Sequence, residues 1–469
     1  AAGVEWLLER CEALPLDVWV MVPSSVPSTP FETAGADLGL ADIERLLAHP
    51  RVVGVAEMMS FPAVVAGDAA ELDKVALAEA AGKTADGHAP SLGGRALQAY
   101  LASGIGSDHE STTLDEGREK LAAGAFLMVR EGSVTRDLAA LLPLVRPEHA
   151  DRIGFVTDDR LPHDLLEEGG VDCLVRGAIA AGVSPAYAVR CASFNVARHY
   201  GLRRRGAVAP GYLADLVVVD DVERVSVRAV YKQGRKVAED GRLLPAALAG
   251  AQDAVPAIVG VTDSVHLPAL KAADLRLEAP GGPVRVIEAL PNQILTRSLA
   301  LTPTVLAGQV VADPVRDLLK LVCVERHGRR GSVARGLVTG FGLQRGALAG
   351  TVGHDHHNLL AVGADDGDIL VAAARLAELG GGLVAVEGGR VLAELPLEIA
   401  GLVTDAPLED VRGRMRALDE AATQLGVTLP APFMALSFLG LPVIPELRLT
   451  DLGLVDVRVG GLVPLGVEA

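Results

Sequence analysis

Aromatic side chains are nearly missing from this chain. Two Trp, five Tyr and eight Phe make up 3 % of 469 residues, so any core rests on Ala, Val and Leu. Cysteine is scarce as well. Cys11, Cys173, Cys191 and Cys323 stand far apart with no CxxC pair, which argues against a disulfide framework or a zinc ribbon and fits a reducing cytoplasm. Positive charge is in deficit: 43 Lys and Arg face 60 Asp and Glu, a net charge of −17. That balance opposes broad binding to nucleic acid or to anionic membranes. No apolar run is long enough to span a bilayer. Hydrophobic residues, at 50 %, are ample for large cores, and the length calls for more than one domain.

From Asp17 to about Tyr200 the pattern is strand, loop, helix, repeated. Candidate strands are Asp17–Val22, Val52–Ala56, Lys83–Asp86, Gly104–Ser107, Ala125–Val129 and Ile153–Thr157. Candidate helices between them are Leu40–Leu47, Ala69–Ala81, Gly93–Ala102, Leu114–Ala123 and Thr135–Leu144, followed by Val171–Ala181 and Pro185–His199. Short apolar strands alternating with amphipathic helices predict a parallel α/β sheet. A closed barrel of this kind needs eight strands, and six are visible. Beyond Gly206 the texture becomes that of a small β module, and residues 246–283, with scattered Ala, Gly and Pro, read as a linker. The stretch 284–469 mixes β-rich segments with a helix over Leu408–Gly426, where Val411, Met415, Leu418, Ala422 and Leu425 recur at helical spacing.

Four ionisable residues follow apolar runs: Glu57, His88, His109 and Asp158. Each alone has an ordinary structural explanation. A histidine can sit satisfied in a core, a glutamate after a strand can cap the next helix, and Asp158 can be half of an ion pair. Taken together, they fall where parallel barrel strands present functional groups, at their C-terminal ends. Imidazole nitrogen and carboxylate oxygen suit zinc, manganese or iron(II), and the lack of thiolate disfavours a sulfur-rich site. A divalent ion lowers the pKa of water bound to it. Asp158 would accept the proton and pass it to a leaving group, and Glu57 has two oxygens with which to bridge two ions.

Longer motifs carry a resemblance. Met21-Val22-Pro23-Ser24-Ser25-Val26-Pro27-Ser28-Thr29, Val55-Ala56-Glu57-Met58-Met59, Asp86-Gly87-His88-Ala89-Pro90, Ser107-Asp108-His109-Glu110 and Thr157-Asp158-Asp159-Arg160 are similar to signatures of bacterial adenine deaminases, in the amidohydrolase superfamily. So are Ala209-Pro210-Gly211-Tyr212, Pro432-Phe433-Met434-Ala435-Leu436-Ser437-Phe438-Leu439 and Pro442-Val443-Ile444-Pro445-Glu446-Leu447. The resemblance implies a TIM-type (β/α)8 metallo-hydrolase barrel over 1–203, a small β-sandwich module over 204–245 and a C-terminal α/β domain over 284–469. It implies hydrolysis of adenine to hypoxanthine and ammonia, with two divalent metals, manganese or iron. Glu57, His88, His109 and Asp158 match four of the metal ligands, and Asp158 would also move the proton. Glu110 would either protonate a ring nitrogen or support His109. His354, Asp355 and His357, with Asn358, match a family motif and are expected to contact substrate, the alternative being a polar loop hydrogen-bonded to itself.

The departures set further expectations. The family's HxH pair on the first barrel strand has no counterpart before Asp17, so the chain is expected to lack the first two strands and to hold one metal site incompletely. Little activity is expected of it in that form. His354-Asp355-His356 is the sole HxH, with His356 where the family has Ser, and nothing places it on a barrel strand. Leu161 and Gly170 stand where the family has His. They leave open a related amidohydrolase acting on another purine or a cyclic amide, and a non-catalytic paralogue is a further alternative. A polynucleotide deaminase with a His/Cys/Cys zinc site is excluded, because the HxE…PCxxC pattern is absent. Two open sheet edges, at Asp17–Val22 and Ile153–Thr157, favour a homo-oligomer such as a dimer.

Overall fold

A computed structural model describes residues 1–149, 151–248 and 261–467. Residues 249–260, in the first half of the expected linker, lie outside them. The fold is mixed α/β. It divides into two compact units, Ala1–Ser25 with Leu38–Ala257, and Val26–Asp37 with Ile258–Ala469.

The first unit carries six strands in chain order: β1 (Val20–Val22), β2 (Val52–Met58), β3 (Thr84–Gly87), β4 (Ser107–Asp108), β5 (Phe126–Arg130) and β6 (Ile153–Val156). β1, β2 and β3 pair in parallel, and so do β4, β5 and β6. The two sets meet where the Gly106 amide donates to the Ala85 carbonyl at 3.2 Å. Close approach there depends on glycine: a Cβ on Gly87 would lie 2.1 Å from the Ser107 carbonyl oxygen. Helices alternate with the strands much as the sequence pattern predicts. Asp68 starts Ala69–Ala80 by accepting from the Ala70 and Glu71 amides, and Thr113 starts Leu114–Ala122 by accepting from Glu116. The segment expected as one helix over Pro185–His199 is two, Pro185–Ala192 and Phe194–His199, because Ser193 leaves helical geometry at φ −137° and ψ −78°. Leu127, Val129, Ile153 and Phe155 pack against Leu121, Leu141, Leu174, Ala178 and Cys191 from the helices, which explains why these strands read as continuous apolar runs. A four-stranded antiparallel sheet follows: β7 (Leu216–Asp221), β8 (Ser226–Lys232), β9 (Arg235–Glu239) and β10 (Arg242–Leu243).

The second unit is built on an eight-stranded sheet. Its strands are β11 (Val284–Ala289), β12 (Thr296–Leu301), β15 (Leu319–Val324), β16 (Val333–Thr339), β17 (Ala347–Gly350), β18 (Leu359–Gly363), β19 (Gly382–Glu387) and β20 (Arg390–Pro396), with the hairpin β13 (Thr304–Leu306) and β14 (Gln309–Val311) between β12 and β15. The order across the sheet is β12-β11-β16-β15-β18-β17-β19-β20, antiparallel except between β11 and β16. Helix Asp366–Leu379 buries Ile369, Ala372, Ala373 and Leu376 on Val322, Ala349, Ala361 and Val384. Helix Leu408–Gln424 buries Val411, Met415, Leu418 and Ala422, the residues its periodicity singled out.

Segment Val26–Asp37 follows β1 in sequence yet is held inside the second unit. The Thr33 amide donates to Asp451 Oδ1 at 2.8 Å, Asn358 Nδ2 donates to the Thr33 carbonyl at 2.8 Å, and Thr450 Oγ1 donates to the Phe31 carbonyl at 2.5 Å. Among the described residues no helix is long and apolar enough to cross a membrane.

Candidate metal centre

The parallel strands end in a cluster of charge. Glu57 is the last residue but one of β2, His88 follows β3, His109 and Glu110 follow β4, Arg130 closes β5 and Asp158 lies just past β6. The backbone beneath them is pinned. Tyr100, fully buried, donates its hydroxyl to the Met58 carbonyl at 2.9 Å and accepts from the His88 amide at 3.0 Å. Ser24 Oγ donates to the Glu57 carbonyl at 2.6 Å.

The side chains converge. His88 Nδ1 lies 2.9 Å and His109 Nε2 lies 3.1 Å from the same oxygen, Glu57 Oε2. Glu110 Oε1 is 3.4 Å from His109 Nε2 and 3.7 Å from His88 Nδ1. Ligand-capable atoms of Glu57, His88 and His109 lie within 4.8 Å of one another, and so do those of His109, Glu110 and Asp158. His109 therefore links all four of the ligands expected from the sequence.

Burial opposes charge on Glu57, His88, His109 and Glu110, and their mutual contacts outweigh it. Burial pushes the Glu57 carboxyl up, but the hydrogen bonds to His109 and His88 hold it below the usual range. Burial pushes both imidazoles down, while Glu110 and Glu57 raise His88 and His109 above the ordinary value. Glu110 is held well below the carboxylate range by His88, His109 and Arg130 against the effect of burial.

A divalent cation fits this set. Metal–ligand bonds of about 2.0–2.2 Å place neighbouring donor atoms ~3 Å apart, the spacing seen here. Two imidazole nitrogens and carboxylate oxygens form a hard-to-borderline donor set. Glu57 and Glu110 each approach both His88 Nδ1 and His109 Nε2, which concentrates negative charge where a cation would sit.

Arg130 joins this cluster, although the sequence did not single it out. It is 1 % exposed, and its Nη1 reaches Glu110 Oε1 at 2.5 Å and Asp158 Oδ2 at 2.8 Å while Nε reaches Asp137 at 3.1 Å. It ends a strand, Phe126–Arg130, that is buried throughout, so its charge is met inside the fold by these carboxylates.

His354, Asp355 and His357 lie in the second unit. His354 stacks on Phe438 with ring centroids 4.4 Å apart, and its Nδ1 is 2.9 Å from Asp355 Oδ1. Burial pushes His357 down to about 3, so it is neutral at physiological pH. His356 is likewise pushed down to about 3 by burial, and its Nδ1 accepts from the Asn358 amide at 2.9 Å, the bonding of a neutral core histidine. Leu161 and Gly170 both sit at helix starts, preceding Pro162–Glu167 and Val171–Ala180.

Comparison with known proteins follows the two-part layout. Residues 1–237 match the amidohydrolase family and residues 293–460 match the adenine deaminase C-terminal domain. The adenine deaminase of Desulfatibacillum aliphaticivorans is 46% identical over 465 residues, covering 99% of this chain and 80% of that protein. That of Dehalococcoides mccartyi is 44% identical over 462 residues, with 98% and 80% covered. That of Nitratidesulfovibrio vulgaris is 47% identical over 472 residues, with 99% and 80% covered.

Proposed function

The chain belongs to the adenine deaminase family, and from that membership we infer that it catalyses the metal-dependent hydrolysis of adenine to hypoxanthine and ammonia. The observation that carries this reading is the meeting of His88 Nδ1 and His109 Nε2 on one oxygen of Glu57. We read the six parallel strands as part of a TIM-type barrel, an interpretation supported by their chain order and by a polar cluster at their C-terminal ends.

Glu57, His88 and His109 would hold one divalent cation, and His109, Glu110 and Asp158 offer a second donor group; manganese or iron(II) suits both. Such a cation, when bound, lowers the pKa of water and polarises the atom under attack. The protein's own part is the handling of protons. Water adds at C6 of adenine, the bond from C6 to the exocyclic nitrogen breaks, and ammonia leaves. Asp158 takes a proton from the water and returns it to the departing nitrogen. Its side chain is 31% exposed, and Arg130 anchors one oxygen at 2.8 Å, leaving the other available. Glu110, ionised beside two imidazoles and Arg130, is better suited to orienting His109 than to donating a proton. The assignment of His354, Asp355 and His357 to substrate contacts rests on their sequence motif. A cytoplasmic enzyme of purine metabolism is consistent with four free cysteines, and a homodimer stays the expected assembly.

The test is ammonia release by the protein expressed from its complete reading frame and supplied with manganese, across adenine, other purines and cyclic amides. Preference for adenine, abolished in Glu57→Gln, is the expected result. Turnover of another compound in place of adenine would refute the substrate, and full activity in Glu57→Gln would refute the site.

A further inference from the structure

We propose that the buried ion pair Asp108–Lys120 is a positioning device that sets His88 and His109 relative to each other. The inference rests on the metal-site reading above and concerns residues outside the donor cluster. Lys120, in helix Leu114–Ala122, is 0 % exposed, and Asp108, ending β4, is 2 % exposed. The ammonium donates to Asp108 Oδ2 at 2.8 Å, to Glu116 Oε1 at 2.8 Å and to the Ala89 carbonyl at 2.7 Å, which uses all three of its protons. Asp108 Oδ1 accepts from the Ala89 amide at 3.0 Å, and Oδ2 accepts from the Glu110 amide at 3.1 Å and from Ser111 Oγ at 2.9 Å.

Ala89 follows His88, and Glu110 follows His109. Both polar groups of Ala89 and the amide of Glu110 therefore end on one ion pair, which joins the loop after β3 to the loop after β4. A buried pair of this kind adds little net stability over apolar packing. What it supplies is geometry, and cation sites require their ligands to be held within about 0.5 Å. Neither side chain touches the ring nitrogens or Glu57, so the effect passes through the backbone.

Cobalt(II) is the probe, titrated into the protein from its complete reading frame and followed by equilibrium dialysis and by its visible absorption. The variants are Asp108→Asn, which keeps the shape and one acceptor, and Lys120→Met. The control is Lys320→Met in the second unit, where a lysine of like burial donates to the Leu275 carbonyl at 2.9 Å and to Asp366 at 2.7 Å. Asp108→Asn and Lys120→Met are expected to weaken cobalt binding on the order of tenfold and to shift the visible band, while Lys320→Met changes neither. If Lys120→Met fails to fold, Asp108→Asn and the double variant, which leaves neither member of the pair charged, carry the test. Folded clamp variants with unchanged affinity and spectrum would overturn the proposal, and so would an equal loss in Lys320→Met. If His88→Ala binds cobalt as the parent does, the metal-site reading itself fails and the clamp falls with it.

Discussion

Replacing Arg130 by Met removes a buried cation that three carboxylates share. Arg130 is 1 % exposed and meets Glu110 at 2.5 Å, Asp158 at 2.8 Å and Asp137 at 3.1 Å. Burial disfavours its charge, yet Glu110, Asp158 and Asp137 together stabilise it. Removing one partner of a buried pair costs about 3–5 kcal/mol, because the remaining charge stays buried and uncompensated. Protonation of one carboxylate recovers part of this, at ~1.4 kcal/mol per unit of pKa shift, and the methionine side chain restores apolar contact. A net loss of about 3 kcal/mol is expected. Both tryptophans, Trp6 and Trp19, lie in the first unit, so their fluorescence reports on that unit during urea denaturation. With a slope of about 1–3 kcal/mol per molar urea, the midpoint should fall by at least ~1 M. Deaminase kcat should fall too, since Asp158 loses its anchor. A midpoint indistinguishable from the parent's would refute the reasoning.

Two further predictions concern backbone approach and a buried acid. Gly87→Ala places a Cβ 2.1 Å from the Ser107 carbonyl oxygen, forcing β3 from β4. It should lose about 1–3 kcal/mol of stability and bind cobalt more weakly, and unchanged cobalt affinity in a dialysis titration would contradict it. Glu32 lies in the second unit, where burial pushes its carboxyl up to about 7 from 4.5. The folded state therefore holds a proton that the unfolded chain releases, and stability falls as pH rises from about 4.5 through 7, by ~3 kcal/mol in all. Glu32→Gln removes that slope: by calorimetry the variant should match the parent near pH 5 and exceed its Tm near pH 8. A constant difference at both pH values would show that Glu32 does not titrate this way.

Glu57, His88, His109 and Asp158 were legible because each follows an apolar run whose end a parallel strand turns toward one spot. Arg130 was not, since an arginine after Phe126–Val129 reads equally well as the solvated end of a strand. Lys120 was hidden for the opposite reason: Leu114–Ala122 carries five charged residues in nine and looks like a solvated helix, yet this lysine is fully buried. The helix Leu408–Gln424 was plain from its periodicity, whereas Asp366–Leu379, rich in alanine and buried on its sheet, offers a weaker stripe. The attachment of Val26–Asp37 to the second unit depends on Asn358 and Asp451, more than 300 residues away, and no local pattern encodes it. The strand pairing of the second unit, with β15 between β16 and β18, is non-local in the same way.

The central claim is that Glu57, His88 and His109 hold a divalent cation. Anomalous X-ray scattering from crystals soaked in manganese tests it most directly. A manganese peak bonded to Glu57, His88 Nδ1 and His109 Nε2 is the predicted result. A map with no anomalous density among those three side chains, at manganese concentrations that support activity, would contradict it.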